Sequence, residues 1–438
     1  MKEKDIHRHK AIHRNGLLAL SPLAVMALLF IALSFLMHGF HKVPLLVVFI
    51  LTSVYALLTL RGMSFEDRLS VFSEGAGNKN LLLMIWIFVL AGAFAATAKA
   101  MGAVDSTVAL TLGLVPPGML LSGLFVASCF ISLSIGTSVG TVVALTPIAS
   151  GLASQAGMEL PLTVAAVVGG SFFGDNLSFI SDTTVVATRT QGCRMSDKFR
   201  VNIRIALPAA LVTFLLYALI GSGNSMPAAP ENAAWWKIIP YLIVLITAIM
   251  GLNVLWSLSL GIVLCGMVGL CDGSYTAGGF LDAICTGIGG MSELILISMM
   301  AGGLLAVIRK GGGITWIIRT LTHGVRSARG AEGCIAALVC LTNLCTANNT
   351  VAILSVGSIS NDISRKFGVD PRKTASILDT FSCCIQGIIP YGAQLLMAGG
   401  LAAIPSTAIM PYLFYPLLLA FCALMAIIFR YPRLTTQP

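Results

Sequence analysis

The stretch PLTVAAVVGGSFFGDNLSFISDTTVVAT (161–188) decides how this chain folds. It begins and ends as an apolar segment. Its middle, G-D-N-L-S-F-I-S-D-T-T (174–184), carries two carboxylates, an amide and four hydroxyl side chains. A run of ~20 apolar residues is what a helix needs to cross a bilayer. Ionisable groups within such a run are costly, and they mark function by default. The expected structure is therefore a membrane-crossing helix that opens in its middle.

The rest of the chain supplies the same solvent. Of 438 residues, 57% are hydrophobic and 10% charged, with a mean hydropathy of +0.91. An ordinary soluble domain carries about 25% charged residues. The chain reads as an all-α polytopic membrane protein, with the lipid bilayer as its first partner. No cleavable signal is expected, because the first apolar run (17–37) outlasts a signal core of about 7–15 residues. The net charge of +9 does not point to nucleic acid, since Lys and Arg cluster between apolar runs. The cysteines form no C-x-x-C pair and mostly sit inside apolar runs, where they read as small hydrophobes. No G-x-x-x-x-G-K-[ST] phosphate loop is present, so nothing suggests ATP.

The chain looks duplicated. AGAFAATAKAMG (91–102) aligns without gaps on AGGLLAVIRKGG (301–312), and TSVGTVVAL (137–145) on TANNTVAIL (346–354) at nearly the same offset. With the basic tail 1–16 cytoplasmic, 17–37, 43–60 and 81–98 cross. Segments 119–135 and 142–156 form a re-entrant hairpin; the broken 162–188 and then 205–221 cross. After an extracytoplasmic linker (222–237) the plan repeats: 238–250, 254–270 and 293–308 cross. Segments 333–345 and 350–360 form a second hairpin, 374–398 is broken, 408–429 is the last helix, and 431–438 is a cytoplasmic tail. The membrane repeats are 17–221 and 238–430. Segments 103–115 and 314–321 are left as interfacial helices or extra spans.

Five crossings per repeat is an odd number, so the second repeat is expected upside down, as in many secondary transporters. Of 27 Lys and Arg, this threading leaves Lys42, Lys99 and Lys237 outside. That distribution obeys the positive-inside rule, with both termini in the cytoplasm. A multi-pass protein of a cell inner membrane is expected, and a homodimer is compatible with the reading.

The polar interruptions then gain a purpose. Unwound backbone at membrane depth is tolerated where protein or a watery cavity covers it. The hairpin tips 136–141 and 345–350 and the breaks 174–184 and 385–394 would converge near the midplane. Asp175 and Asp182 are expected to hold a proton or an alkali ion, Na+ being the candidate. Asn176, Ser178, Ser181, Thr183 and Thr184 offer the hard oxygen donors such an ion prefers. Thr137, Ser138 and Thr141 come from the first tip, Asn348, Asn349 and Thr350 from the second. Asp379 reads as a proton carrier or second ligand, with Gln386 and Gln394 as neutral partners. No cofactor is expected beyond the transported Na+ and H+. His7, His9 and His13 read as part of a solvated basic tail, and 189–204 as a basic loop that anchors orientation.

On these residues the chain resembles the NhaC family of sodium/proton antiporters. GGSFFGDNLSFISDTT (169–184) is similar to that family's signature, and TANNTVAIL and DTFSCCIQGIIPYGAQLL (379–396) are similar to its second-half signature. The resemblance implies the ion-transporter fold of inverted repeats, hairpins and broken helices. It also implies sodium/proton exchange at Asp175 and Asp182. Two positions depart from the pattern: Asn176 stands where Lys is common, and Phe179 where Pro is common. A different reading is a Na+- or H+-coupled carrier of a small carboxylate or amino acid, against which no basic residue stands out in the core. An intramembrane enzyme would need a nucleophile–base or metal set, and no buried His is apparent to serve one.

Overall fold

The computed structural model describes residues 2–39, 42–179, 181–221 and 234–432. Most of the linker 222–237, the tail beyond 432 and the side chains of His7, His9 and His13 lie outside the described residues. Among those residues every regular element is helical.

The first half holds α1 (Lys2–Leu36), α2 (Leu45–Thr59), α3 (Phe65–Ala76), α4 (Lys79–Met101) and α5 (Ala103–Leu114). It continues with α6 (Leu120–Ile135), α7 (Ser138–Ala156), α8 (Leu160–Leu177), α9 (Asp182–Gln191) and α10 (Met195–Gly221). The second half follows the linker. It runs α11 (Ile239–Ile249), α12 (Val254–Cys271), α13 (Ala277–Gly290), α14 (Ser292–Lys310) and α15 (Gly313–Thr322). Then come α16 (Ala328–Thr346), α17 (Asn349–Phe367), α18 (Pro371–Gln386), α19 (Ala393–Ala402), α20 (Ser406–Ile409) and α21 (Phe414–Ile428).

Eight helical stretches among the described residues are long and apolar enough to cross a membrane. The count is nine if Ala393–Ala402 and Ser406–Tyr412, bent by 100°, make one span. This departs from ten crossings in an identifiable way. Helices α2, α11 and α21 have 15, 11 and 15 residues, short of the ~20 that a full crossing takes. Conversely α7 and α16, expected to turn back, have 19 residues each.

Segment 271–292, left without structure by the threading, forms α13 and continues into α14 as a 34-residue helical stretch. Its glycines weaken helix propensity, but they let α13 lie close against α4. Part of the supposed loop 189–204 is likewise the start of α10. Segments 103–115 and 314–321 are helices of 12 and 10 residues, too short to span.

Helices pack in exchanged pairs across the halves. α4 lies on α13 and α3 on α14; α4 on α12 and α2 on α14; α7 on α19 and α9 on α17. Two of these contacts are backbone to backbone. A β-carbon on Gly92 would sit 2.4 Å from the carbonyl oxygen of Gly287, and one on Gly75 would sit 2.4 Å from that of Gly302.

Helix α8 is the centre of the first half. Pro161, in its first turn, is suited to a helix start. Gly170 and Gly174 then give α6 room to approach. A β-carbon on Gly174 would meet the Leu133 nitrogen and the Ser132 β-carbon, each at 2.3 Å. Gly174→Ala is therefore expected to lower stability by at least the ~1–3 kcal/mol of a typical overpacked core. Thermal unfolding of the purified protein checks this; an unchanged midpoint would show that α6 and α8 can separate freely.

Candidate functional site

Four interruptions place helix ends inside the bundle: Gly136–Thr137, 178–181, Ala347–Asn348 and 387–392. Helix ends leave N–H and C=O groups without intrahelical partners, and at depth the protein itself must supply them. It does so in matching ways. The Ser178 hydroxyl donates to the carbonyl of Leu133 (3.0 Å), and the Tyr391 hydroxyl to that of Leu344 (2.8 Å). Ser132 donates to the Ser171 carbonyl (2.5 Å), and Asn343 to that of Ser382 (2.8 Å). Each hairpin is thus stitched to the broken helix of its own half.

The two tips turn through left-handed residues, Gly136 (φ 75°) and Ala347 (φ 48°). That conformation costs a residue with a β-carbon roughly 1–2 kcal/mol. The carbonyl of Ala347 accepts Gln386 Nε2 at 3.0 Å, so this strain sits within the site. Ala347→Gly is expected to raise stability by about 1 kcal/mol, read as a higher unfolding midpoint; a lower one would refute the strain.

The first centre forms around Asp175, 5% exposed at the end of α8. Its Oδ1 accepts the Ser181 hydroxyl at 2.5 Å. Its Oδ2 accepts the Ser138 hydroxyl at 2.9 Å and Asn349 Nδ2 at 3.2 Å. Gln394 donates to Ser138 Oγ (2.9 Å), Gln386 donates to Gln394 (3.0 Å), and Thr183 shares a bond with Ser181 (2.9 Å). Residues at three interruptions, from both halves, bond this carboxylate directly, and Gln394, beside the fourth, reaches it through Ser138. Every partner is neutral, and no Lys or Arg pairs with it among the described residues.

The second centre forms around Asp379 of α18, fully buried. It is ion-paired with Lys198 of α10, which is 1% exposed. Asn202 and Asn176 also donate to Asp379 Oδ2, at 3.1 and 3.2 Å. Lys198 Nζ donates further to the Asn176 carbonyl and to Thr184 Oγ1, both at 2.6 Å. Adjacent residues, Asp175 and Asn176, join the two centres.

Among the described residues no hydrogen bond or shared partner links Asp175 to Asp182, the pair expected from the sequence. The chain leaves helical geometry between them, so seven-residue spacing no longer places them on one face. Asp182 opens α9 with an exposed side chain, where a helix N-terminus favours negative charge. Asp379 takes the place beside Asp175 that Asp182 was expected to fill. The other expected ligands divide. Asn348 caps α17, accepting the Val351 N–H at 3.0 Å, while Thr141 donates to the Thr137 carbonyl at 3.0 Å. Thr137 and Thr350 are half-buried, outside the Asp175 shell.

Lys198 and Asn202 were missed, and the core does contain a dedicated cation. Their signal was periodicity: Lys198, Val201, Asn202, Ile205, Ala206 and Ala209 are buried at helical spacing.

Two cavities approach this region. One, of about 530 Å³, runs from exposed Glu74 and Arg309 to Thr346, Asn348 and Tyr391 at the second tip. The other, of about 430 Å³, is lined by Lys99, Asp105 and Gly287 and goes no further along α7 than Pro147. That is about two and a half turns, or ~13 Å of helix, short of Ser138.

Comparison with known proteins shows which family the chain belongs to. A model of the Na+/H+ antiporter family matches residues 5–222 and 225–432. The Na(+)/H(+) antiporter NhaC of Bacillus subtilis (strain 168) is 25% identical over 440 residues, covering 90% of this chain and 94% of the relative. The Malate-2H(+)/Na(+)-lactate antiporter of the same organism is 23% identical over 441 residues, covering 92% of each. Among solved structures, the Alcanivorax borkumensis YdaH transporter aligns with a TM-score of 0.42 at 16% identity, over 84% of this chain and 89% of that one. With both of its halves matched almost end to end, this chain belongs to the Na+/H+ antiporter family.

Proposed function

We propose that the chain exchanges Na+ for H+ across a cell inner membrane by alternating access, with Asp175 as the group that carries each in turn. The observation that carries the reading is the Asp175 shell. A buried carboxylate must be neutralised or paired, and here the lining is neutral, so a proton and a sodium ion compete for it. The Ser138 and Ser181 hydroxyls donate to the bare carboxylate, Thr183 backs Ser181, and all three can turn oxygen lone pairs toward an ion. From the second half Asn349 donates to the carboxylate itself and Gln394 orients the Ser138 hydroxyl. Asp182 plays no part in this shell.

The exchanged packing pairs support two repeats, 17–221 and 238–430, related by a twofold. The Lys/Arg distribution supports an axis in the membrane plane and both termini in the cytoplasm. On that orientation the deeper cavity opens to the cytoplasm, and this is an inward-facing state.

Everted vesicles test the function. Added Na+ is expected to drive proton movement with no organic solute present. Absolute dependence on an added carboxylate would instead support a coupled carrier, a reading favoured by the name of the malate/lactate relative and by Arg309 in the deeper cavity. Ser181→Ala removes one charge-assisted hydrogen bond worth ~1.5–3 kcal/mol. It is expected to change the Na+ concentration for half-maximal exchange about tenfold or more; an unchanged value would remove Ser181 from the shell.

A further inference from the structure

We propose that the ammonium group of Lys198 is a tethered stand-in for an alkali cation, and that the oxygens around it make a second sodium site. An ammonium has three N–H donors and accepts nothing. All three point at oxygen: the carbonyl of Asn176, the hydroxyl of Thr184 and the carboxylate of Asp379. Those oxygens come from α8, α9 and α18, so the set exists only once both broken helices are folded together. A carbonyl, a hydroxyl and a carboxylate are the hard ligands that suit alkali ions.

The shell contains more oxygen than Lys198 can satisfy. Asn202 Oδ1 and Asp379 Oδ1, on fully buried residues, have no hydrogen-bond partner among the described residues. Asn202 meanwhile spreads one amide nitrogen over three oxygens: the Asn176 carbonyl (3.2 Å), Asn176 Oδ1 (3.2 Å) and Asp379 Oδ2 (3.1 Å). Such a surplus of acceptors around one positive charge is what a cation site looks like, with the cation here fixed to a side chain.

The consequence concerns cargo number, and it rests on the reading of Asp175 as the exchange site. With Lys198 in place only the Asp175 centre is open to travelling ions. Shortening the side chain should free the second centre for Na+. Equilibrium binding of radioactive Na+ to the purified full-length protein tests this. Wild type is expected to bind one Na+ per chain and Lys198→Ala two, with Lys198→Ala/Asp379→Asn returning to one. Na+ should also raise the unfolding midpoint of Lys198→Ala far more than that of wild type, because it replaces the missing charge.

Asp175→Asn keeps the two readings apart. If it binds as much Na+ as wild type, the exchange-site reading fails, while the gain from Lys198→Ala still stands or falls separately. A Lys198→Ala protein that gains no Na+, or that stays unfolded at every Na+ concentration, overturns the proposal.

Discussion

Vesicles carrying Asp175→Asn are expected to show no sodium-driven proton movement above that of vesicles without the protein. Asparagine matches aspartate in shape, and with its oxygen toward Ser138 and Asn349 its amide can donate to the Ser181 hydroxyl, which turns to accept. It can neither take up a proton near neutral pH nor offer a full negative charge to Na+, so both halves of the exchange fail together. Removing the charge from an otherwise neutral shell also removes a desolvation penalty. Unfolding should therefore stay at or above the wild-type midpoint. Exchange at even a tenth of the wild-type rate in a folded variant would mean that the ions use another group. Asp182→Asn makes the contrast: at the exposed start of α9 it should retain exchange.

Asp379→Ala should act chiefly on stability. It strands the ammonium of Lys198, 1% exposed, without its counter-charge. Breaking a buried pair from one side typically costs ~3–5 kcal/mol, whereas replacing both partners by apolar groups is often neutral or stabilising. Asp379→Ala is thus expected to express poorly and to unfold well below wild type. Asp379→Leu/Lys198→Met should recover most of the loss. A double variant no more stable than Asp379→Ala would show that the pair's hydrogen-bonded neighbours, not its charge, hold the two helices.

Much of the fold was legible because lipid imposes simple rules. Apolar runs mark out membrane helices and the polar interruptions mark where helices end, and Asp175, Ser181, Asn349 and Asp379, all singled out in the sequence, lie buried in the structure. What stayed hidden has physical causes. Helix α13 is rich in glycine and reads as a loop in isolation, yet its packing on α4 makes it a helix. Lys198 was hidden by its neighbours: among Arg189, Arg194, Arg200 and Arg204 it reads as one more surface charge. Only the inward periodicity of α10 sets it apart. Asp182 misled for the opposite reason, since proximity in sequence to Asp175 says nothing of direction once a helix opens between them.

The paired glycine crossings, Gly92 on Gly287 and Gly75 on Gly302, bear on how easily the molecule can rearrange. Interlocked side chains act like gear teeth, so one helix passes another only in steps. Where bare main chain rests on bare main chain there are no teeth. These crossings are smooth joints, and each borders one of the two cavities, so small rolling movements there alter a passage's width without unseating any knob from its hole.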